Sequence, residues 1–159
     1  MNTSKNLAAA FIATSLISVI ALIAGCTQAP KWDPQQLDEG ALERPFTKTA
    51  NGLKWRMLRE VSGPRPSGVD EFWVHYQGWF LDENGNKNIF DTSYTLGFAS
   101  QMKLDLVIPG FSEGCQLCSV GGMIELEIPP NLGYGAQGSP PLIPPDTTLF
   151  FRIEMVEVQ

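Results

Sequence analysis

Apolar residues are arranged in two different ways along this chain. Residues 7–24 form an almost unbroken apolar run, interrupted only by Thr14, Ser15 and Ser18. From Gly52 onward, apolar and polar residues alternate over short segments that are separated by Gly- and Pro-rich turns. Alternation with a period of two is typical of β-strands that bury one face. The pattern therefore predicts a strand-rich domain behind an N-terminal segment of a different kind.

The alternating region predicts one helix among about five strands. Residues 111–119 have the spacing of a short helix, which Gly121-Gly122 ends. One short helix cannot cover a sheet of this size unless the sheet bends around it, so we expect an α+β domain over residues 51–159. The predicted strands, all antiparallel, are 53–61, 72–81, 88–92, 123–128 and 149–158.

The N-terminal segment has the organisation of a bacterial export signal. Lys5 is the only charged residue before the apolar run, which is just shorter than the roughly 20 residues that span a bilayer. An uncleaved membrane anchor is therefore the alternative. Cys26 favours export, because Ile23-Ala24-Gly25-Cys26 resembles the lipobox of bacterial lipoproteins. In that class the cysteine is acylated, as with palmitate, and becomes the first residue of the mature chain.

This resemblance implies a signal peptide over residues 1–25 and a lipid-anchored polar linker over residues 26–50. The linker is rich in proline, and we expect it to hold the domain off the membrane, with a short helix near residues 35–44. Thr27 follows the cysteine, whereas an aspartate there would resemble an inner-membrane retention signal. We therefore expect a lipoprotein that faces the periplasm or cell exterior, on the outer membrane rather than the inner one.

The charge of the chain excludes one class of partner. Removing residues 1–25 takes away Lys5 and no acid, which leaves 10 basic and 17 acidic residues and a net charge of −7. Binding to phosphate backbones depends on Lys and Arg. We therefore expect no nucleic-acid partner.

The sequence has little of the chemistry on which most enzymes depend. It contains one histidine, His75, which lies within a predicted strand, and we interpret it as a packed structural residue rather than a general base. It shows no cluster of metal ligands and no Gly-rich phosphate loop, so we expect neither a metal nor a cofactor. What stands out instead is a set of aromatic residues in turn-rich segments, where sites are commonly built.

Five motifs carry a resemblance to a known family over residues 52–159. In order along the chain they are Val74-His75-Tyr76-Gln77-Gly78, Phe90-Asp91-Thr92-Ser93, Val107-Ile108-Pro109-Gly110-Phe111, Gly133-Tyr134-Gly135 and Leu142-Ile143-Pro144-Pro145. Together they resemble FKBP-type peptidyl-prolyl cis–trans isomerases. The fold that this implies is a bent antiparallel sheet of about five strands around one short helix.

The resemblance also implies a site, residue by residue. The catalytic residues would be Tyr76, Asp91 and Tyr134. A backbone N–H of Ile108 would be offered to the substrate. The other substrate-binding residues would be Phe90, Phe98, Val107, Phe111, Ile143 and Phe151.

The implied activity is isomerisation of X-Pro bonds in exported proteins, without a covalent intermediate or cofactor. The alternative is a chaperone or proline-binding module with little catalysis. The pocket floor of the family is usually tryptophan, and here it is Phe111. We expect activity to survive this change, and affinity for FK506-like macrolides, which the family implies as ligands, to weaken.

Cys115 and Cys118 stand where the family commonly has apolar residues of its helix. We do not favour a redox pair, because the surrounding sequence lacks the βαβ context that such a motif needs. The two remaining interpretations are a pair of reduced, buried thiols and a disulfide. Residues three apart on a helix have Cβ atoms about 5–6 Å apart, whereas a disulfide needs about 3.5–4.5 Å. We favour the disulfide, with a distorted turn, because exported locations are oxidising.

Overall fold

Alternating apolar residues place one face of each strand in a common core, and the result is a seven-stranded antiparallel sheet. The computed structural model describes residues 37–68 and 70–159. The strand order is β1-β2-β6-β7-β3, and β4 and β5 both pair with β3. The strands are β1 (Thr47–Lys48), β2 (Lys54–Arg59), β3 (Glu71–Leu81), β4 (Lys87–Thr92), β5 (Ser100–Lys103), β6 (Met123–Ile128) and β7 (Leu149–Val158).

The α+β architecture expected from the sequence is confirmed, with differences in detail. Within the described residues the only α-helix is α1 (Pro109–Leu117), which begins two residues before its predicted start. Proline is well suited to the first position of a helix, because it lacks an N–H that would go unpaired there anyway. The sequence pattern missed β1 and β5, which have two and four residues and are too short to show a period.

Two glycines let α1 lie unusually close to the sheet. A Cβ atom at Gly110 would overlap the side chain of Ile128, and one at Gly114 would overlap Leu126. The two glycines are one helical turn apart and face β6, so the helix backbone packs directly on the side chains of that strand. Phe111 is thereby held against the sheet, where it belongs to the main apolar core.

The opposite face of the sheet carries a buried charge network. Glu125 on β6 is 4% exposed and accepts hydrogen bonds from Arg56 of β2 at 2.5 Å and Arg152 of β7 at 2.5 Å. The three residues are direct partners in the strand register. One carboxylate thus joins three neighbouring strands, and its burial is tolerated because both of its oxygens are paired with cations.

The chain before β2 packs on this charged face instead of forming a free linker up to residue 50. Arg56 donates to the backbone carbonyl of Leu42, and the N–H of Asp38 donates to the carbonyl of Leu58 at 2.8 Å. Ala41 lies in a small apolar cluster with Leu58 and Met123. The ordered fold therefore begins before the predicted boundary at residue 51. Most of these contacts use backbone groups, which leave no periodicity in the sequence.

The part of the predicted helix at residues 35–44 that the structure describes, residues 37–44, contains a single 3-10 turn, Ala41–Glu43, and no α-helix. The predicted signal peptide, Cys26 and the first part of the linker lie outside the described residues. Within residues 37–68 and 70–159, no helix has the length and apolar character needed to cross a bilayer.

The structure contains Cys115 and Cys118 as free, buried thiols rather than the predicted disulfide. The N–H of Cys118 donates to the carbonyl of Cys115 at 3.1 Å, so the pair keeps the spacing of a helical turn, which is too wide for a bridge. Burial raises the pKa of Cys118 to about 12 and that of Cys115 well above its ordinary value. Both side chains therefore pack as neutral, small apolar groups.

We expect Glu125→Gln to lower the free energy of unfolding by about 3 kcal/mol, because it leaves two guanidinium groups facing a neutral amide. Chemical denaturation of the purified protein measures this loss. Glu127→Gln is the matched control on the same strand. Its carboxylate pairs with Lys54, whose side chain is 44% exposed, so the loss there should stay below about 1 kcal/mol. Equal losses in the two variants would contradict the proposed role of the network.

Candidate functional site

An aromatic pocket of about 560 Å³ opens between the start of α1 and the strands that α1 covers. Strands β3, β4, β5 and β7 contribute, because the sheet places some of their inward-facing residues around the start of the helix. The lining residues are Tyr76 of β3, Phe90 and Asp91 of β4, Met102 of β5, Asp105, Leu106, Val107 and Ile108 of the segment before α1, Phe111 of α1, Tyr134, and Phe151 of β7.

The floor and walls of the pocket are aromatic rings that meet edge to face. The Phe111 ring lies 5.0 Å from that of Phe151 and 6.0 Å from that of Tyr76, and both contacts are close to perpendicular. Phe90 meets Phe151 in the same way at 5.6 Å. Such arrangements are favoured by the charge distribution of aromatic rings. Phe111 is 3% exposed, so it forms a fixed apolar floor.

One hydrogen bond organises the polar side of the pocket. The Tyr76 hydroxyl donates to the Asp91 carboxylate with an O–O distance of 2.6 Å. Burial, and then the hydrogen bond to Asp91, raise the pKa of Tyr76 above its ordinary value. Tyr76 therefore stays protonated, and its hydroxyl donates to the Asp91 carboxylate and fixes the direction of that carboxylate in an apolar wall.

The backbone of Tyr76 is held by the two residues that follow Asp91. The N–H of Tyr76 donates to the hydroxyl oxygen of Ser93 at 2.9 Å, and its carbonyl accepts from the Thr92 hydroxyl at 3.0 Å. Ser93 is fully buried. Sequence reasoning did not assign these residues a role. Their position directly after Asp91 was a usable sign, because Ser and Thr often bond to nearby backbone groups.

An irregularity in β4 brings neighbouring residues to the same side. Adjacent residues in a regular strand point to opposite faces, yet Phe90 and Asp91 both line the pocket. The pairing of β3 with β4 shifts at this point: Gly78 opposes Asp91 and the next residue, Trp79, opposes Ile89. Phe90 is the extra residue of a β-bulge, a feature that re-aims side chains.

Gly78 leaves the space that the Phe90 ring occupies. A Cβ atom there would lie 2.7 Å from the Phe151 ring and 2.8 Å from the Phe90 ring, closer than packed atoms approach. The glycine of the first motif thus permits the contact between the two aromatic walls.

Two lining residues offer polar groups from outside the sheet. Tyr134 lies between two 3-10 turns of the long connection before β7 and is 40% exposed. Ile108 precedes α1, and its carbonyl accepts from the N–H groups of Phe111 and Ser112. Its own N–H has no acceptor within the described residues. That N–H is therefore available to a bound molecule.

Two of the residues expected in the pocket lie elsewhere. Phe98 is on the connection between β4 and β5, 64% exposed and outside the lining. Ile143 is 4% exposed, belongs to the main apolar core and is not among the lining residues. Conversely, the sequence did not single out Met102, Asp105 and Leu106, which do line it. Met102 was missed because β5 was missed.

His75 is away from the pocket. Its ring stacks on Tyr94 at 5.5 Å, and its Nδ1 atom lies 3.4 Å from the Ser93 hydroxyl oxygen. In residues 37–68 and 70–159 no three His, Cys, Asp or Glu side chains are grouped as metal ligands would be. The chemistry that the pocket offers is therefore apolar enclosure with a few directed hydrogen bonds.

Comparison with known proteins agrees with this geometry. The family model for FKBP-type peptidyl-prolyl cis-trans isomerases matches residues 63–156. The FKBP-type 22 kDa peptidyl-prolyl cis-trans isomerase of Escherichia coli is 35% identical over 122 residues, which are 77% of this chain and 57% of that protein. FkpA of Escherichia coli is 39% identical over 119 residues, which are 75% of this chain and 42% of FkpA. The chain thus spans about half the length of these curated relatives.

Solved structures show the same fold. The crystal structure of FkpA from Escherichia coli superposes with a TM-score of 0.65 and 36% identity, covering 77% of this chain and 53% of that one. A crystal structure of a peptidyl-prolyl cis-trans isomerase from Pseudomonas syringae superposes with a TM-score of 0.65 and 32% identity. The match covers 76% of this chain and 86% of that one. The FKBP-like fold expected from the motifs is confirmed, and the chain belongs to the FKBP-type peptidyl-prolyl cis-trans isomerase family.

Proposed function

We propose that this chain accelerates cis–trans isomerisation of X-Pro bonds in polypeptides that contain proline. The observation that supports this most directly is the pocket that joins the Tyr76–Asp91 hydrogen bond to an aromatic floor at Phe111. The pocket is suited to a small apolar ring with a carbonyl beside it. A proline and the residue before it have that shape and chemistry.

The reaction needs no nucleophile, because no covalent bond is made or broken. Rotation about an amide has a barrier of roughly 18–20 kcal/mol, since the twisted state loses resonance. The planar amide is the more polar form and is favoured by water. Enclosure of the proline in the aromatic pocket replaces that water with apolar walls.

The polar groups of the pocket act on the rotated carbonyl. The Ile108 N–H and the Tyr134 hydroxyl are donors at the edge of the pocket, and Asp91 is held on the facing wall by Tyr76. Hydrogen bonds that form only in the twisted geometry stabilise the transition state more than the ground state, which is the condition for catalysis. A decrease of the barrier by about 5.5 kcal/mol corresponds to roughly a 10⁴-fold acceleration.

A second candidate function is a chaperone or proline-binding module with little catalysis. Phe111 favours it, because phenylalanine gives a smaller floor than tryptophan and has no indole N–H. The two candidates differ in whether bound X-Pro peptides are isomerised.

Catalysis is tested by the isomerisation rate of a short X-Pro peptide with purified protein. We expect Asp91→Ala to lower kcat/KM by about ten- to a hundred-fold, because a charge-assisted hydrogen bond and the orientation of Tyr76 are lost. Tyr134→Phe should lower it by several-fold. Glu83→Ala, at an exposed residue of the β3–β4 hairpin, is the control and should retain the full rate. Rates at the uncatalysed level in all four proteins would favour the binding module.

The floor residue is expected to control macrolide affinity more than catalysis. We propose that the pocket binds FK506-like macrolides weakly, because Phe111 offers them less area than tryptophan. Phe111→Trp should tighten FK506 binding by roughly three- to ten-fold, as measured by calorimetry. Both proteins should isomerise peptides. Activity that is absent with Phe111 and present with tryptophan would contradict this assignment.

We also propose that the chain is an acylated lipoprotein acting on exported proteins in the periplasm or outside the cell, attached to the outer membrane rather than the inner one. Its support is the Ile23-Ala24-Gly25-Cys26 motif behind an apolar run. The described chain enters the fold on the sheet face opposite α1, where Arg56 bonds to Leu42. Residues 27–36 span at most about 35 Å when extended.

The anchor is tested by Cys26→Ser in cells that express the full chain. We expect the variant to leave the membrane fraction and to lose incorporation of labelled palmitate, because the acylated sulfur is absent. Cys115→Ser is the matched control, since its thiol is buried in the fold. Membrane attachment that survives Cys26→Ser would indicate an uncleaved apolar anchor instead.

A further inference from the structure

A second groove of about 410 Å³ lies beside the aromatic pocket. We call it the flanking groove, and it is lined by Glu71, Gln101, Met102, Lys103, Leu106 and Val107. Met102, Leu106 and Val107 line the aromatic pocket as well. The two cavities therefore adjoin across an apolar wall. A molecule that fills the pocket and extends past this wall enters the groove.

Leu106 is the most exposed apolar residue at this junction. Its side chain is 76% exposed, although it stands beside the partly buried Val107 and Met102. It belongs to a 3-10 turn, Leu104–Leu106, in which Leu104 points into the core. Single exposed leucines are common on protein surfaces. This one differs because it separates two cavities and contributes to both.

The groove runs along a strand with an open edge. β5 pairs with β3, and no other described strand pairs with it. An open strand edge presents backbone N–H and C=O groups to an extended peptide. The groove thus combines apolar side chains with backbone groups, as an extended polypeptide requires.

The charged residues of the groove are paired with one another. Lys103 bonds to Glu71 at 2.7 Å, and the Gln101 amide donates to Glu71 at 2.5 Å. The bridge leaves no net charge at the rim. Electrostatic attraction therefore contributes little to recognition here, and the apolar wall is the principal determinant.

We propose that the flanking groove binds an apolar side chain of the same polypeptide whose proline occupies the aromatic pocket. This inference rests on the proposed isomerase function and deepens it. Because the cavities share a wall and an extended chain advances about 3.3 Å per residue, the side chain lies two or three residues from the proline. The groove selects prolines that have a large apolar residue at that distance, which folded proteins bury and unfolded chains expose.

The test compares long peptides that differ at one position near the proline. Each has leucine or serine two or three residues from the X-Pro bond, on either side, and a short peptide lacks these positions. For at least one position we expect the unmodified protein to process the leucine peptide with a kcat/KM about five-fold above that of the serine peptide. Calorimetry on the same peptides should show a matching ratio of Kd values.

Each variant is compared by its leucine-to-serine ratio of kcat/KM. A change in the aromatic pocket affects both peptides equally and therefore does not alter this ratio. Leu106→Ser should bring the leucine-to-serine ratio close to one, because the shared wall is lost. Gln101→Trp, which fills the groove from its far side, should do the same. Leu81→Ser is the matched control, because Leu81 is also exposed but lies at the other end of β3, and it should keep the ratio.

The outcomes separate this inference from the function on which it rests. Turnover of the short peptide together with a ratio near one at every position would overturn the flanking groove and leave the isomerase standing. Absence of turnover with every peptide would overturn the isomerase, and the Kd ratio would still decide the groove. A ratio that persists in both Leu106→Ser and Gln101→Trp would place the selectivity elsewhere and also refute the proposal.

Discussion

The close contact of α1 with β6 is the constraint on which the rest of the site depends. Gly110 and Gly114 remove the side chains that would hold the helix away from Ile128 and Leu126. Only at this distance does Phe111, next to the first glycine, meet both Phe151 and Tyr76. The segment before the helix is fixed by the same contact, and it supplies the N–H of Ile108. The packing of the helix on β6 thus determines the geometry of the pocket.

The polar half of the site is built by a different device, one short stretch of β4 that acts on a single tyrosine. Asp91 accepts a hydrogen bond from the Tyr76 hydroxyl. Thr92 and Ser93 form hydrogen bonds with the backbone of Tyr76. The bulge at Phe90 turns this stretch toward the pocket. Tyr76 therefore has its main chain and its side chain fixed by consecutive residues, which explains in physical terms why these residues occur together.

Much of this could be predicted from the sequence, for reasons that differ between parts. Strands with a clear period, such as β3 and β7, and the α+β class follow from alternation. The pocket residues Tyr76, Asp91 and Phe111 followed from motifs. Strand β5 was too short to show a period, so Met102 was missed. Phe98 and Ile143 matched the family pattern, yet Phe98 is exposed outside the lining and Ile143 is buried in the core, because the path of a loop depends on tertiary packing.

The substitution at the floor of the pocket is best understood from its neighbours. Phe111 makes its two ring contacts through edges and faces, and neither contact uses a hydrogen bond. The indole N–H of a tryptophan would add a donor at the floor, whereas the donors that we propose for the substrate carbonyl belong to Ile108 and Tyr134. The proposed reaction uses apolar enclosure of the proline and hydrogen bonds to the rotated carbonyl. A phenylalanine floor supplies the enclosure and leaves the hydrogen bonds unchanged, so the substitution reduces the area of the floor without removing a group that the proposed isomerisation uses.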